Sequence, residues 1–242
     1  MGEPVPGISV VMPAYNEEPV LEQAVRQTLE TFAQAGVDHE LIVVNDRSTD
    51  RTGDVAERLA GQLEAVSCCH HRKNQGVGGA FRTGVAAATR DFVILIPADN
   101  PLAPEDLEPF LPRLAECDIV AGVREKRVGY PLPARFGSWV YNRVLVPVLF
   151  NIGVPDVNWI QIFRRSIFTE QGISIEYTGI VFLLEILAKA RRLGLTICQV
   201  PCRMRERLYG KATVFRLNTA WRAFWDMVSL YLKLRRKRNW LR

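Results

Sequence analysis

Four stretches of the chain are apolar at nearly every position rather than at alternate ones. They are Ile8-Ser-Val-Val-Met12, Glu40-Leu-Ile-Val-Val-Asn45, Phe92-Val-Ile-Leu-Ile96 and Asp118-Ile-Val-Ala-Gly122. A strand covered on both faces reads this way, whereas a half-exposed strand alternates. Between the first two runs, Val20, Leu21, Ala24, Val25, Thr28, Leu29 and Phe32 recur at helical spacing. Asn16 is a suitable N-cap for that helix, with Glu17 and Glu18 in its first turn and Gly36 as its stop. Thr49 or Asp50 caps a second helix to about residue 62, and Ala65 to Cys69 makes a short third strand. Lys73 to Ala80 opens a third helix that runs through Ala88, and Pro104 to Ala115 reads as a fourth. Strands alternating with helices in this way predict a doubly wound sheet with right-handed crossovers. Pro13 and Pro97 are expected to end the first strand and the 92–96 strand, because proline has no N–H for the ladder.

The second half is less regular. Arg135 to Phe150 reads as an apolar helix broken by Pro147, Asp156 to Phe163 as a strand, and Gly179 to Leu193 as a helix stopped by Gly194. Leu195 to Val200 is a strand ended by Pro201. Arg124 to Pro133 and Arg203 to Thr213 are basic loops. Phe215 to Leu234 is a helical pattern in which Trp221, Phe224 and Trp225 mix with Arg222, Asp226 and Lys233.

Composition adds three constraints. The net charge of +5 is concentrated in the tail, where Arg235, Arg236, Lys237, Arg238 and Arg242 fall, so the implied partner is polyanionic. An anionic lipid surface suits a Trp-bearing helix with a basic end, which would lie in the membrane interface. The alternative is a helix docked on the core with a solvated tail. Nucleic acid is disfavoured, since no recognition motif accompanies the charge. Five cysteines, an odd and scattered set, argue against a disulfide framework and for a reducing cytosol. Cys68-Cys69-His70-His71 is a weak metal candidate, because adjacent strand residues point to opposite faces. The N-terminus has no apolar signal core, and no run of apolar residues is long enough to cross a bilayer.

The candidate chemistry lies where the buried runs stop. Pro13 to Glu17, Asn45 to Asp50 and Ala98 to Asn100 are polar loops at strand carboxyl ends, the edge at which open α/β sheets bind ligands. Asp99 stands alone among prolines and is a candidate ligand for a divalent cation holding a nucleotide diphosphate; it could equally cap the next turn. The glycines of Asn74-Gln-Gly-Val-Gly-Gly79 would let backbone approach a ligand at a helix N-terminus. Their spacing fits neither a dinucleotide fingerprint nor a P-loop.

With these residues in view, the chain resembles the family 2 glycosyltransferases of GT-A fold. The resemblance rests on Val10-Val-Met-Pro-Ala-Tyr-Asn-Glu17, Ile42-Val-Val-Asn-Asp-Arg-Ser-Thr-Asp50 with Thr52, Asn74-Gln-Gly76 and Ala98-Asp99, and covers roughly residues 7–125. Asp118 to Arg124, Phe163-Arg-Arg165, Gly194 to Pro201, Arg205, Arg207 and Gly210-Lys-Ala-Thr213 are similar to the dolichyl-phosphate mannosyltransferase and polyprenyl-phosphate glycosyltransferase branch. The resemblance implies a mostly parallel, Rossmann-like sheet flanked by helices. It implies a GT-A domain over 1–214, with a nucleotide-sugar half (7–125) and an acceptor half (126–214), followed by an amphipathic helix over 215–242. Pro13, Tyr15, Glu17 and Gly76 would line the nucleotide site, and Asp46 would bind base or ribose. Asp99 would hold Mg²⁺ or Mn²⁺, while Arg124, Arg135, Arg205 and Lys211 would engage phosphates. The implied donor is a GDP- or UDP-hexose and the implied acceptor a polyprenyl phosphate. The implied place is the cytoplasmic membrane face, on anionic lipid and with a membrane-protein partner as a further option.

Two departures matter. Pro97-Ala98-Asp99 stands where the family has Asp-x-Asp, and Asp156-Val-Asn-Trp-Ile-Gln161 stands where the branch has an acidic-Cys-Gly-Phe segment. A saccharide acceptor, or a nucleotide-binding subunit without catalysis, is the alternative function. Simpler roles also stand beside the implied ones. Tyr15 and Trp159 could pack, Asp46 could cap a turn, the basic residues could be solvated, and Glu185 reads as a buried, paired carboxylate.

Overall fold

The computed structural model describes residues 6–99, 102–124, 137–202 and 217–236. Seven strands form one sheet: β1 (Ile8–Ala14), β2 (His39–Asn45), β3 (Val66–His70), β4 (Phe92–Leu95), β5 (Ile119–Arg124), β6 (Gln161–Arg164) and β7 (Ile197–Cys202). Their order is β3-β2-β1-β4-β6-β5-β7. β6 runs antiparallel to both its neighbours, β4 and β5, and every other pairing is parallel. β6 therefore wedges a strand from the second half between two from the first, and the two halves share one sheet.

The unbroken apolar runs follow from this. Ile8, Val10, Met12, Leu41 and Val43 enter one core, while Val11, Ile42 and Val44 enter another, so successive residues feed opposite faces. Helices α1 (Leu21–Gln34), α2 (Thr52–Gln62) and α3 (Gly76–Ala87) connect the first four strands. Gly36 and Gly194 follow their helices in left-handed conformation (φ +66 and +75), as stops should.

Several boundaries differ from expectation, each for a physical reason. β1 continues through Pro13, which pairs with Val44. Odd-numbered residues of β1 bond toward β4, as Ile96 N donates to Val11 O, and β4 ends at Leu95. The missing N–H of Pro13 thus faces a side where the ladder has stopped. Pro201 is likewise inside β7, an edge strand that pairs only with β5. The 104–115 helix shrinks to α4 (Pro104–Leu107) and a 3₁₀ turn at Leu111–Arg113, because Pro109 and Pro112 cannot donate. The first helix starts at Leu21, and Asn16 is not its cap. A π-turn at Tyr141–Leu145 precedes α5 (Val146–Phe150), where Pro147 removes the bond that would have gone to Arg143. The strand expected from Asp156 begins at Gln161.

After α6 (Ser166–Thr169) and α7 (Phe182–Leu193), α8 (Leu217–Arg236) lies against the body. Ala223, Met227, Leu230 and Leu234 are buried in the same core as Val181 and Ile186. Cys117 and Cys198 form a disulfide that ties the approach to β5 onto β7, contrary to the reading of scattered free thiols. A separation of 81 residues hides this pairing from the sequence; the β5–β7 register, with Val120 opposite Cys198, creates it.

Candidate active site

The registers fix the site before any side chain is considered. β1, β2 and β4 are parallel, so the loops after them leave the same edge of the sheet. Val11 pairs with Leu95 and Ala14 with Asn45, which brings the Tyr15, Asp46 and Asp99 loops together. The 156–161 segment joins them, because it leads into the antiparallel β6, whose Ile162 pairs with Ile94.

The first two loops are laced to each other through side chains. Asn16 N donates to Ser48 Oγ (3.0 Å), and Thr49 N donates to Asn16 Oδ1 (2.8 Å). Glu17 N donates to Thr52 Oγ1 (2.8 Å), and Arg51 N donates to Glu18 Oε2 (3.1 Å). Asn16 adopts φ +57, a conformation Asn tolerates, and this turns its side chain toward the second loop. The N-cap of α2 is Arg51 rather than Thr49 or Asp50, while Asp50 Oδ1 accepts from Thr52 N (3.0 Å) just ahead of the helix.

Tyr15 is left 49% exposed at the centre of this lacework. Glu17 is partly buried beside it. Burial raises the Glu17 carboxyl above its ordinary value, and the charges of Asp99 and then Asp50 raise it further. The like-charge effect puts Asp99 in the same electrostatic neighbourhood as the β1 and β2 loops. Three carboxylates therefore converge on the carboxyl edge, which suits a divalent cation that takes hard oxygen ligands. Their oxygens do not form a closed three-ligand cluster. Among the described residues, the trio with ligand atoms within 4.8 Å of one another is Glu116, Cys117 and Cys198, at the disulfide. A cation at Asp99 would thus draw ligands from phosphate and water as well, the usual arrangement for Mg²⁺.

Other expected ligand contacts are taken up by the chain itself. Asp46 is 4% exposed. Its Oδ1 accepts from Gln75 N and His71 Nδ1 (2.7 Å each), and its Oδ2 accepts from Gly76 N (2.7 Å). These donors hold its carboxylate in place. The glycines at the start of α3 make room for protein: a Cβ on Gly76 would meet Thr178 O at 2.6 Å, and one on Gly78 would meet Tyr177 O at 2.2 Å. Arg124 makes a two-pronged ion pair with Asp156 (2.6 and 2.8 Å), with both side chains about 5% exposed. Its guanidinium lies 4.6 Å from the Trp159 ring centroid, so Trp159 packs and also holds a cation. Arg135, Arg205 and Lys211 lie outside the described residues. Pro13 is partly buried at the end of β1.

Residues 174–179 cross beneath α3. Glu185 is fully buried and accepts from Glu176 N and Tyr177 N (3.0 and 3.1 Å), and Lys189 Nζ binds it at 2.7 Å. It is the paired structural carboxylate that its apolar surroundings suggested. Tyr177 OH donates to Ser229 Oγ, and Lys233 pairs with Glu176, so the same segment also meets α8. Sequence reasoning did not see this segment, nor His71, which it placed simply at a strand end. The signal for His71 was its position at the exit of β3, on the edge shared with the other loops.

Residues 9–172 match the family described as glycosyl transferase family 2. The chain belongs to that family. The protein is a glycosyltransferase, and its sheet order and flanking helices are those of the GT-A fold. It is 26% identical over 217 residues to an undecaprenyl-phosphate mannosyltransferase of Micrococcus luteus, covering 85% of this chain and 86% of that protein. It is 28% identical to a dolichol-phosphate mannosyltransferase of Pyrococcus furiosus, covering 76% of this chain and 53% of the relative. The backbone superposes with a TM-score of 0.69 on glucosyl-3-phosphoglycerate synthase from Mycobacterium tuberculosis in complex with Mn²⁺, UDP and phosphoglyceric acid. That pair is 22% identical over 93% of this chain and 78% of the other, a likeness of fold.

Proposed function

We propose that this chain transfers a hexose, with inversion, from a GDP- or UDP-sugar to a polyprenyl phosphate at the cytoplasmic face of a membrane. The observation that carries the reading is near end-to-end similarity to an undecaprenyl-phosphate mannosyltransferase. The site agrees with it. Tyr15, Glu17 and Pro13 form the side of the edge that receives the nucleoside. Asp99 faces the diphosphate, and Arg135, Arg205 and Lys211 take the phosphates of donor and acceptor. Asp46, held by its internal donors, would meet base or ribose, with Gly76 beside it. Mg²⁺ or Mn²⁺ held at Asp99 would neutralise diphosphate charge.

A lipid phosphate is already an anion. One of its oxygens attacks the anomeric carbon as the bond from that carbon to the diphosphate oxygen breaks, and the nucleoside diphosphate leaves. No strong base is required, and the site contributes alignment and charge stabilisation. No helix among the described residues is long and apolar enough to cross a membrane. α8 supplies a means of reaching one. Trp221 (63% exposed), Phe224 and Trp225 (52% exposed) cluster ring against ring on its outer face, and Arg222, Arg235 and Arg236 are exposed along it. Aromatic side chains beside basic ones suit an anionic interface. The helix is thus docked on the core by one face and offers the other to lipid.

The test is turnover of GDP- and UDP-sugars with polyprenyl phosphate, with and without Mg²⁺ or Mn²⁺. Product on lipid supports the proposal. Product on a soluble saccharide alone, or nucleotide binding without turnover on any acceptor, overturns it. Binding to anionic vesicles is expected to weaken as salt rises, and salt-independent exclusion from such vesicles removes the membrane part.

A further inference from the structure

His71 has no place in the chemistry above, yet it is nearly sealed from water and bonded on both sides of its ring. Its side chain is 5% exposed. Nδ1 lies 2.7 Å from Asp46 Oδ1, and Nε2 lies 2.8 Å from Thr83 Oγ1 on α3. A carboxylate oxygen accepts only, so Nδ1 carries the proton toward Asp46. Asp46 in turn occupies the first residue after β2. Its backbone N donates to Ala14 O, its backbone O accepts from Asn74 Nδ2, and its carboxylate holds Gln75 N and Gly76 N. Through its backbone and its carboxylate together, this one residue locks the exits of β1, β2 and β3 to the start of α3.

We infer that His71 is a positioning residue for the nucleotide sugar, acting through Asp46. This rests on the donor site proposed above. Nothing else among the described side chains donates to the Asp46 carboxylate; its other two donors are backbone amides. Without the imidazole, Oδ1 keeps its charge in a buried setting with one donor fewer. A buried carboxylate that loses a donor bears a desolvation cost, and it can relieve that cost by turning toward water. Water lies on the loop side, where Arg47 to Asp50 and the Tyr15 loop meet. The rotation pulls Gln75 and Gly76 away from their seats and loosens the Asn16–Ser48–Thr49 lacing that shapes the nucleoside wall. The Arg124–Asp156 pair makes no hydrogen bond to Asp46 or His71.

The consequence is a specific split. His71→Ala raises the KM for the nucleotide sugar, and the Kd for the matching nucleoside diphosphate, ~10-fold or more. The kcat at saturating donor and the KM for polyprenyl phosphate stay within ~3-fold of wild type. His71→Asn, whose amide can donate to Asp46 from nearly the Nδ1 position, restores most of the affinity. The Kd is measured by calorimetry with GDP and UDP in the presence of Mg²⁺, because it is insensitive to a reduced folded fraction once active protein is counted. A residue that served only folding would lower the melting temperature and the active fraction with Kd unchanged in His71→Ala, and that result overturns the inference. Failure of the Asn variant to recover affinity while it melts like wild type also overturns it. Absence of nucleotide binding by the wild-type protein is a different failure, one that removes the proposed donor site itself.

Discussion

The charges buried in this protein and the charges at its sheet edge are arranged on opposite principles. Arg124 faces Asp156, and Lys189 faces Glu185, each an opposite-sign pair whose members are at most about 5% exposed. At the edge, Glu17 faces Asp50 and Asp99, all of one sign, and its carboxyl is pushed up as a result. Opposite charges closed off from water fix backbone: Glu185 holds the amides of Glu176 and Tyr177, and Asp156 steadies the end of β5 through Arg124. Burial works against the Asp50 carboxylate, but hydrogen bonds from Thr52 and from Glu18 N outweigh it and lower its value; Glu17 has no such donors among the described residues, and its ionised form is disfavoured in the fold. A cation bound beside Glu17 would offset that cost. Charge pairing therefore distinguishes the residues that fix backbone from the carboxylates proposed to meet the cation.

The largest test of that division is in the interior. Glu185→Ala removes the nearer carboxylate of a Lys189 ammonium that is 1% exposed, leaving it Glu176 at 3.3 Å, and frees two backbone amides, so unfolding stability should fall by ~3 kcal/mol in chemical denaturation. Replacing both partners, Glu185→Leu with Lys189→Met, should cost less, because no buried ammonium loses its carboxylate and Glu176 keeps Lys233, although the two amides still lack their acceptor. Next comes the edge. Asp99→Asn should cost less stability than Glu185→Ala, while kcat/KM for the nucleotide sugar with Mg²⁺ or Mn²⁺ falls ~10²- to 10³-fold. If Asp99→Asn unfolds the protein as readily as Glu185→Ala does, the division between the two kinds of charge is wrong.

The same division explains what could be read from the sequence. Strand cores were legible, since burial on both faces leaves continuous apolar runs such as Val10 to Met12 and Leu41 to Val44. The edge loops were legible too, because turn and capping residues after such runs mark carboxyl ends. The partners of individual charges were not. Asp46 and Arg124 carry the residue types that ligands need, and only the fold shows that His71, Gly76 and Asp156 already occupy them. The glycines of 74–79 read as room for a close backbone approach, and only the fold shows the Tyr177 carbonyl against Gly78, from a segment 99 residues later in the chain. The insertion of β6 between β4 and β5 was equally hidden, since four residues, Gln161 to Arg164, carry no mark of antiparallel pairing. Prolines misled in both directions: Pro13 and Pro201 sit inside strands where no bond is lost, while Pro109 and Pro112 break a helix that the apolar spacing had favoured.

The smallest effect gives the sharpest view of the edge. Burial, then Asp99, then Asp50 raise the Glu17 carboxyl in the folded protein above the ordinary glutamate value of 4.5. Below that ordinary value Glu17 is protonated in both folded and unfolded chains. As pH rises from there through the folded value, the unfolded chain loses its proton first. The folded state then binds more protons, so its stability declines across that window and the full penalty remains above it. Asp99→Asn removes the second contribution and leaves burial, so the Glu17 carboxyl should titrate lower than in wild type without reaching the ordinary value. Mg²⁺ added to the wild type should move it the same way, because a cation favours the ionised form. Carbon-13 NMR titration of the Glu17 side chain reads both shifts. A Glu17 curve that Asp99→Asn leaves in place would mean that the two carboxylates do not share the edge, and the sheet would then lack the crowded negative charge on which a bound diphosphate and its cation depend.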